Sequence, residues 1–520
     1  MVFPEAQVCQ MPCHPEAPLD ANRGYTLTIG VGALDHAGTP LASPFTLTFR
    51  TVRTSLSAAT LFPADGVAGV AVDTPVAIIF DRALDPEEVG DDLVSIEPSV
   101  AGSLDVIAPP GAAGLRDPEQ RMLRFQPSGP LEPNTTYEIT LRPGLRGADG
   151  AGLPAAISWS FTTGAPTATL SNQVVFLSDR AGIANLWAMN PDGTNQHQLS
   201  AEVSPVIDYA VAPDGRAFVT GDGAAIVWQR ADGSARRLLT DTGVVEFDPV
   251  YTPDGASLVF GRADPLLGTG LGLWMSDAEG SDPQPVEMPS DEGGSPSPTP
   301  ATPIPLLRTP RISPDGTALA FVDGAGLVAI LDLETDQLTT APFSALSEPV
   351  WLPDSSAVLV SGFAAGFRAE PFAYLPGTPV ALLDPASADL DAGQVAALKI
   401  VRFERGAASV SSTALRGGAA RPVVDDGGRI AYLKLEVAGA QSGGPWLTSA
   451  LDDPGDRAMG DPAARATFAA FTPERGALLV SRVSLVGAVT TRATGVWLVD
   501  LRTGTARQLS KDGWLPRWLP

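Results

Sequence analysis

Residues 174–261 decide the fold. They read VVFLSDRAGIANLWAMNPDGTNQHQLS (174–200), then YAVAPDGRAFVTGDGAAIVWQRADGSARRLLT (209–240), then DPVYTPDGASLVFG (248–261). One sentence is being repeated. A Pro-Asp-Gly turn (Pro213-Asp214-Gly215, Pro253-Asp254-Gly255) precedes an apolar run. A second run carries a large residue (Leu186-Trp187, Val227-Trp228), an Asp-Gly turn follows (Asp192-Gly193, Asp232-Gly233), and Leu-Ser or Leu-Thr closes the unit. A repeat of about 40 residues built from short strands and tight turns predicts β-propeller blades.

Outward from this stretch, the turn recurs at Pro314-Asp315-Gly316 and Pro353-Asp354-Ser355, and in weaker form at Asp425-Asp426-Gly427 and Pro473-Glu474-Arg475. Pro presets φ, Asp caps the turn through its side chain, and Gly accepts positive φ, so folding accounts for these Asp residues. The unit at 172–200 has no opening strand. The tail, Gly513 to Pro520, reads GWLPRWLP and resembles such an opening; compare Pro349-Val350-Trp351-Leu352-Pro353. Ring closure by that tail is expected, because it hides the edges an open ring would expose. Six turn motifs and the composite blade predict seven blades over 170–520. Six or eight are the alternatives, since the interval from Pro353 to Asp425 has room for another. The segment at about 289–306 is rich in Pro, Ser and Thr and is expected to be a disordered insertion.

The S-D-R-x-G-x-x-N-L-W wording (Ser178-Asp179-Arg180-Ala181-Gly182, Asn185-Leu186-Trp187) and Ser313-Pro314-Asp315-Gly316 resemble the TolB-like propeller family. That resemblance implies a periplasmic or extracellular binding platform, often for proteins. Some relatives gate serine peptidases or act on sugars. This chain departs from both enzyme types: it has no Gly-x-Ser-x-Gly elbow and no hydrolase domain after the repeats.

The first 165 residues hold a second repeat. Leu19 to Thr51 aligns without a gap on Leu131 to Thr163, 112 residues on: Tyr25 meets Tyr137, Leu27 meets Ile139, Gly38 meets Gly150 and Phe49 meets Phe161. Strands are expected at 76–80, 93–96, 104–107, 121–125, 136–142 and 157–162, a spacing that suits a β-sandwich. Alternation in Val76-Ala77-Ile78-Ile79-Phe80 predicts one buried face. Pro63, Gly66, the F-D-R-A-L-D run at 80–85, Leu131 to Tyr137, Asp149, Gly152 and the ending Trp159-Ser160-Phe161-Thr162-Thr163 resemble the bacterial Ig-like domains of SbsA-type surface-layer proteins. The resemblance implies a spacer role. The domains expected are thus 1–52, the C-terminal half of a truncated Ig-like domain; 53–165, a complete one; and 170–520, the propeller. The missing half predicts that the chain is a fragment, or starts at a misassigned position, and that an export signal stood upstream.

Composition narrows the chemistry. The chain has 520 residues and a formal net charge of −25, which argues against nucleic acid and anionic membranes as partners. No apolar run is long enough for a transmembrane segment. Its two cysteines, Cys9 and Cys13, lie four residues apart, too far for a disulfide along one strand though not across a turn. His14, His36 and His197 are the only histidines. Asp179, Arg180, Asp208 and Glu246 lie near strand ends, where turn roles account for them. No catalytic, cofactor or metal residue is assigned, and no cofactor is expected. The expected function is that of a non-catalytic, monomeric, secreted or cell-envelope binding and scaffold protein, Ig-like spacers presenting a propeller to a protein or glycan partner. The alternatives are a propeller-based glycan lyase or hydrolase, and a propeller regulator of a peptidase on another chain.

Overall fold

The structure is a computed structural model and describes residues 19, 23–34, 38–51, 55–90, 92–109, 119–241, 243–265, 269–289, 306–345, 347–362, 397–404, 407–412, 418–436, 441–448, 457–459, 465–486 and 489–520. Cys9, Cys13, His14, His36 and most of the 289–306 insertion lie outside the described residues. The chain is all-β: an Ig-like sandwich followed by a β-propeller.

A two-stranded antiparallel ribbon comes first, β1 (Gly24–Ile29) and β2 (Phe45–Arg50). The sandwich follows with β3 (Ala58–Phe62), β4 (Val67–Val70), β5 (Val76–Phe80), β6 (Val94–Glu97), β7 (Gly102–Ile107), β8 (Met122–Pro127), β9 (Thr136–Leu141) and β10 (Ile157–Thr163). One sheet runs β4-β10-β9-β6 and the other β3-β5-β8-β7. Between them lies a core that includes Val76, Ile78, Phe80, Leu123, Tyr137, Ile139, Trp159 and Phe161.

The expected single buried face of β5 needs correcting. Val76, Ile78 and Phe80 face the sandwich core, while Ala77 joins a second cluster with Phe62 and Met122 on one side and Phe176, Trp187, Leu479 and Val496 of the propeller on the other. That sheet is covered on both faces, which is why its strand reads as a continuous apolar run rather than an alternation. The backbone locks the same boundary: Ala64 N–H donates to the Ala181 carbonyl at 2.8 Å. A Cβ on Gly182, whose φ is +100°, would stand 2.3 Å from the Leu61 carbonyl oxygen, so only glycine fits there.

Among the described residues, 170–520 form seven four-stranded sheets. Their innermost strands are Trp514–Trp518 (blade 1), Asp208–Val211 (blade 2), Val245–Tyr251 (blade 3), Arg308–Ile312 (blade 4), Val350–Trp351 (blade 5), Gly418–Val424 (blade 6) and Arg465–Phe471 (blade 7). Blade 1 is composite: the C-terminal strand pairs antiparallel with Val174–Ser178, Val174 opposite Trp518 and Leu177 opposite Trp514. Asn172 N–H donates to the carbonyl of Pro520 at 3.2 Å, joining the two ends of the ring.

The repeated turn does what its residue types dictate. In blade 2, Gly215 N–H returns to the Ala212 carbonyl at 2.8 Å, the Asp214 carboxylate takes the Arg216 N–H at 3.0 Å, and Gly215 has φ 67°. Asp254, Asp315, Asp354 and Asp425 accept backbone N–H groups in the same way.

Candidate functional site

Inner strands of neighbouring blades touch around the ring, so residues they turn inward meet in the central channel. The sequence places one such residue by rule, five positions before the proline of the turn. That position holds Asp208, Asp248, Thr309 and Glu348 in blades 2 to 5, and Leu515 in the composite blade. In blades 3 to 5 and in the composite blade, proline follows it at Pro249, Pro310, Pro349 and Pro516. Asp248, Thr309 and Leu515 have φ of 54°, 50° and 49°, and Arg421, before Pro422, has 48°. Each interrupts the register of its strand. These are β-bulges, which bend a strand and re-aim its side chains.

The bulges gather charge. Arg308 is fully buried and grips Asp248 with two guanidinium bonds, 2.6 and 3.0 Å, while Thr309 N–H adds a third at 2.8 Å. Burial works against the Asp248 carboxylate, yet Arg308 outweighs it and holds the group below the usual range. Arg311 pairs with Glu348, and Glu348 too is held low against burial by Arg311 and Arg517. Trp351 donates its indole N–H to the Arg311 carbonyl at 2.8 Å. Arg517 lies over the Tyr209 ring at 5.6 Å.

Asp208 is the exception in this group. Burial, then the Asp248 and Glu348 carboxylates, push its carboxyl up to about 7, against the pull of Arg311 and Arg517. Its Oδ1 accepts the Tyr209 N–H at 2.8 Å. A carboxyl poised there exchanges a proton near neutral pH.

Beside this cluster a cavity of about 520 Å³ opens, within the size range of ligand sites. Inner strands of blades 4 to 7 and the C-terminal strand line it. Arg311, Arg421, Arg475 and Arg517 supply positive charge, Glu348, Asp425 and Asp426 negative charge, and Phe471 and Trp518 apolar surface.

The other sequence candidates sit elsewhere and hold blades together. Glu246 is buried and pairs with Arg262, Nε to Oε1 2.9 Å, while that guanidinium lies 4.0 Å over the Trp274 ring. Arg180 bonds Ser178, Ser510 and Asp512 and lies 4.7 Å over Trp187, tying the composite blade to its last loop. Asp179 caps the adjoining turn through its carbonyl. His197 is buried at the sandwich boundary, its Nδ1 3.0 Å from the Asn195 carbonyl, and burial lowers its pKa. Sequence reasoning singled out Asp208 but passed over Asp248, Arg311, Glu348 and Arg517. Two recurring offsets were the available signal: Asp248 and Glu348 lie five positions before the proline of the turn, as Asp208 does, and Arg311 and Arg517 lie three before Pro314 and Pro520.

Among the described residues, no group of three or more His, Cys, Asp and Glu is placed to hold a metal ion, and no helix is long and apolar enough to cross a membrane. Solved structures with similar chain paths include TolB from Acinetobacter baumannii (11% identity, 90% of this chain and 99% of that one, TM-score 0.38). Another is oligogalacturonate lyase from Vibrio parahaemolyticus (12% identity, 65% and 90%, TM-score 0.44). A third is described as a TolB from Agrobacterium tumefaciens (17% identity, 55% and 94%, TM-score 0.34). Scores this low carry nothing about activity. No curated protein matches the chain. Residues 52–163 match the family described as bacterial Ig-like domain, and the sandwich is similar to that family.

Proposed function

We propose that this is a non-catalytic binding and scaffold protein of the cell envelope or exterior, whose propeller takes a protein or glycan partner at the channel mouth. The observation that carries the reading is the cavity of about 520 Å³, where four guanidinium groups and three carboxylates stand beside Phe471 and Trp518. Charged groups fixed in orientation around an aromatic floor recognise a polar ligand with an apolar face. The three carboxylates there, Glu348, Asp425 and Asp426, are committed to arginine partners, which suits recognition better than proton transfer. The SbsA-type wording of 57–164 supports an extracytoplasmic location.

A second reading, glycan chemistry in the channel, rests on Asp208 alone, since a carboxyl near 7 suits a general acid.

The test is photo-cross-linking of the full chain in its native cell envelope. A probe replacing Trp518 at the channel mouth should yield a discrete adduct, lost when Arg311→Glu and Arg517→Glu are added. A probe at Arg237, on an outermost strand, should give none. Equal labelling from both positions, or none from the mouth, overturns the reading. Cleavage of a glycan by the wild type but not by Asp208→Asn favours the enzyme instead.

A further inference from the structure

The charged side chains of the channel-mouth cavity pair off with one remainder. Arg311 pairs with Glu348 and also donates to the Pro310 carbonyl at 2.8 Å. Arg475 pairs with Asp426 at 3.1 Å, and Arg429 holds Asp425 at 2.7 Å. Arg421 is engaged as well. Arg517 is exposed and lies 5.6 Å over the Tyr209 ring, and among the described residues it makes no hydrogen bond or ion pair. With the three side-chain carboxylates of the lining committed, the charge left for a ligand is one guanidinium.

The fold holds that guanidinium in place. Arg517 sits on the paired C-terminal strand opposite Val175, and the next residue, Trp518, is anchored by its indole N–H to the Asn172 side chain at 3.2 Å. Around it the lining is largely apolar, with Val350, Phe471, Leu515 and Trp518. Its hydroxyls are already in use. Ser347 accepts the Ser361 N–H at 3.0 Å and donates to the Glu348 carbonyl at 3.2 Å, and Thr472 accepts the Ala477 N–H at 3.2 Å. Little is left to grip the many hydroxyls of a sugar, whereas one carboxylate beside an apolar side chain meets both kinds of surface present. The chain as a whole carries a net −25 and repels anions, so an anion gains only where a fixed cation meets it out of bulk water.

We propose, resting on the channel-mouth reading above, that the cavity takes an acidic peptide segment, with one carboxylate on Arg517 and the adjoining apolar side chain against Phe471 and Trp518. Recognition of acidic segments by arginine is a recurring mode of peptide binding. Asp208 regulates it. This carboxyl stands on the neighbouring inner strand, within electrostatic reach of Arg311, Arg517, Asp248 and Glu348. Below about 7 it is neutral and leaves Arg517 to the ligand; above that it is ionised and repels the ligand's carboxylate. Binding therefore favours the protonated form of Asp208, and affinity falls as pH rises through neutrality.

Binding of fluorescent, capped tetrapeptides to the full chain, read by anisotropy, tests this. Each peptide carries Phe-Glu or Leu-Asp and is compared with its Phe-Gln or Leu-Asn twin, which differs by one charge. At about pH 6 the acids should bind about 10-fold or more tighter than their twins, because the twin loses a charge-assisted bond. The preference should vanish in Arg517→Gln, persist in part in Arg517→Lys, and be unchanged in Arg237→Gln on an outermost strand. A melt of Arg517→Gln that matches the wild type shows the ring intact. Raising pH from about 6 to about 8 should weaken the acids by about 3-fold or more in the wild type but not in Asp208→Asn, a difference that a merely structural role would not produce. Acid and twin bound alike, no peptide bound at about 1 mM, or a preference that survives Arg517→Gln overturns the proposal. Uptake of an oligosaccharide in place of every peptide overturns it in favour of a glycan. An adduct from the Trp518 probe without any acid preference overturns this inference alone, whereas an acid preference without that adduct counts against the channel-mouth partner.

Discussion

Two acidic residues near strand ends, Glu246 and Asp208, look alike in sequence and have opposite fates. Glu246 is buried against Arg262 and also accepts the Thr240 hydroxyl at 2.9 Å. Removing one partner of such a pair leaves a buried unpaired charge, so both groups are held by structure. Among the described residues Asp208 has the Arg311 and Arg517 cations near it but none bonded to it, and its carboxyl rises to about 7. The ordinary value, which applies once the chain unfolds, is near 3.9. Between those two pH values the folded chain holds a proton that the unfolded chain has released. Stability therefore falls as pH rises from about 4 to about 7, and levels off above that. Asparagine is nearly isosteric and never ionises. The variant Asp208→Asn should melt about 2–4 °C above wild type at pH 8 and show no gain at pH 4. Melts across pH 4–8 check this, and a wild type whose melting rises through that interval exactly as the variant's does contradicts it.

Among elements, the turns and the C-terminal strand were legible because their chemistry is local. Pro, Asp and Gly at fixed offsets specify a hairpin whatever surrounds them, and the GWLPRWLP tail repeats the wording of an inner strand. The bulges were not legible, since X-Pro in a strand reads as an edge or a break, and only pairing on both sides shows a residue such as Asp248 or Thr309 turned inward. Double burial of β5 was hidden for a similar reason, because the propeller residues covering Ala77 lie about a hundred residues away in the chain (Phe176, Trp187) or about four hundred (Leu479, Val496). The C-terminal strand carries a consequence of its own. It supplies the inner edge of blade 1, and the Leu515 carbonyl takes the Tyr209 hydroxyl of blade 2. A chain ending at Gly513 would open the ring and bare the edge of Val174–Ser178. Its melting temperature should drop by roughly 10 °C or more, with aggregation, in a light-scattering melt. Melting unchanged from that of the full chain would mean the ring does not depend on closure.

At the scale of the molecule, the sequence suggests spacer domains carrying a propeller, whereas the sandwich is packed against it. The outer side of the β3-β5-β8-β7 sheet shares a buried cluster with blades 1 and 7, and Gln229 of blade 2 donates to the Asp73 carboxylate at 3.1 Å. Burial, the largest influence, raises the Asp73 pKa, as befits a group shut inside the boundary. Such a joint transmits orientation, which a flexible linker does not, and it makes the sandwich part of the propeller's stability. Phe62 and Met122 are the sandwich's large contributions, both essentially buried. Replacing both with serine removes apolar burial on the boundary face of the sheet while leaving Val76, Ile78 and Phe80 in the sandwich core. Each truncation should cost about 2–5 kcal/mol of stability, concentrated at the boundary. Calorimetry should then resolve the single transition of the wild type into two. Protease should also begin to cut at 165–169, the segment that joins the domains. If the wild type already melts in two steps, or the double variant still melts in one, the two domains are not coupled through this cluster. The short connection alone would then have to hold the sandwich to the ring.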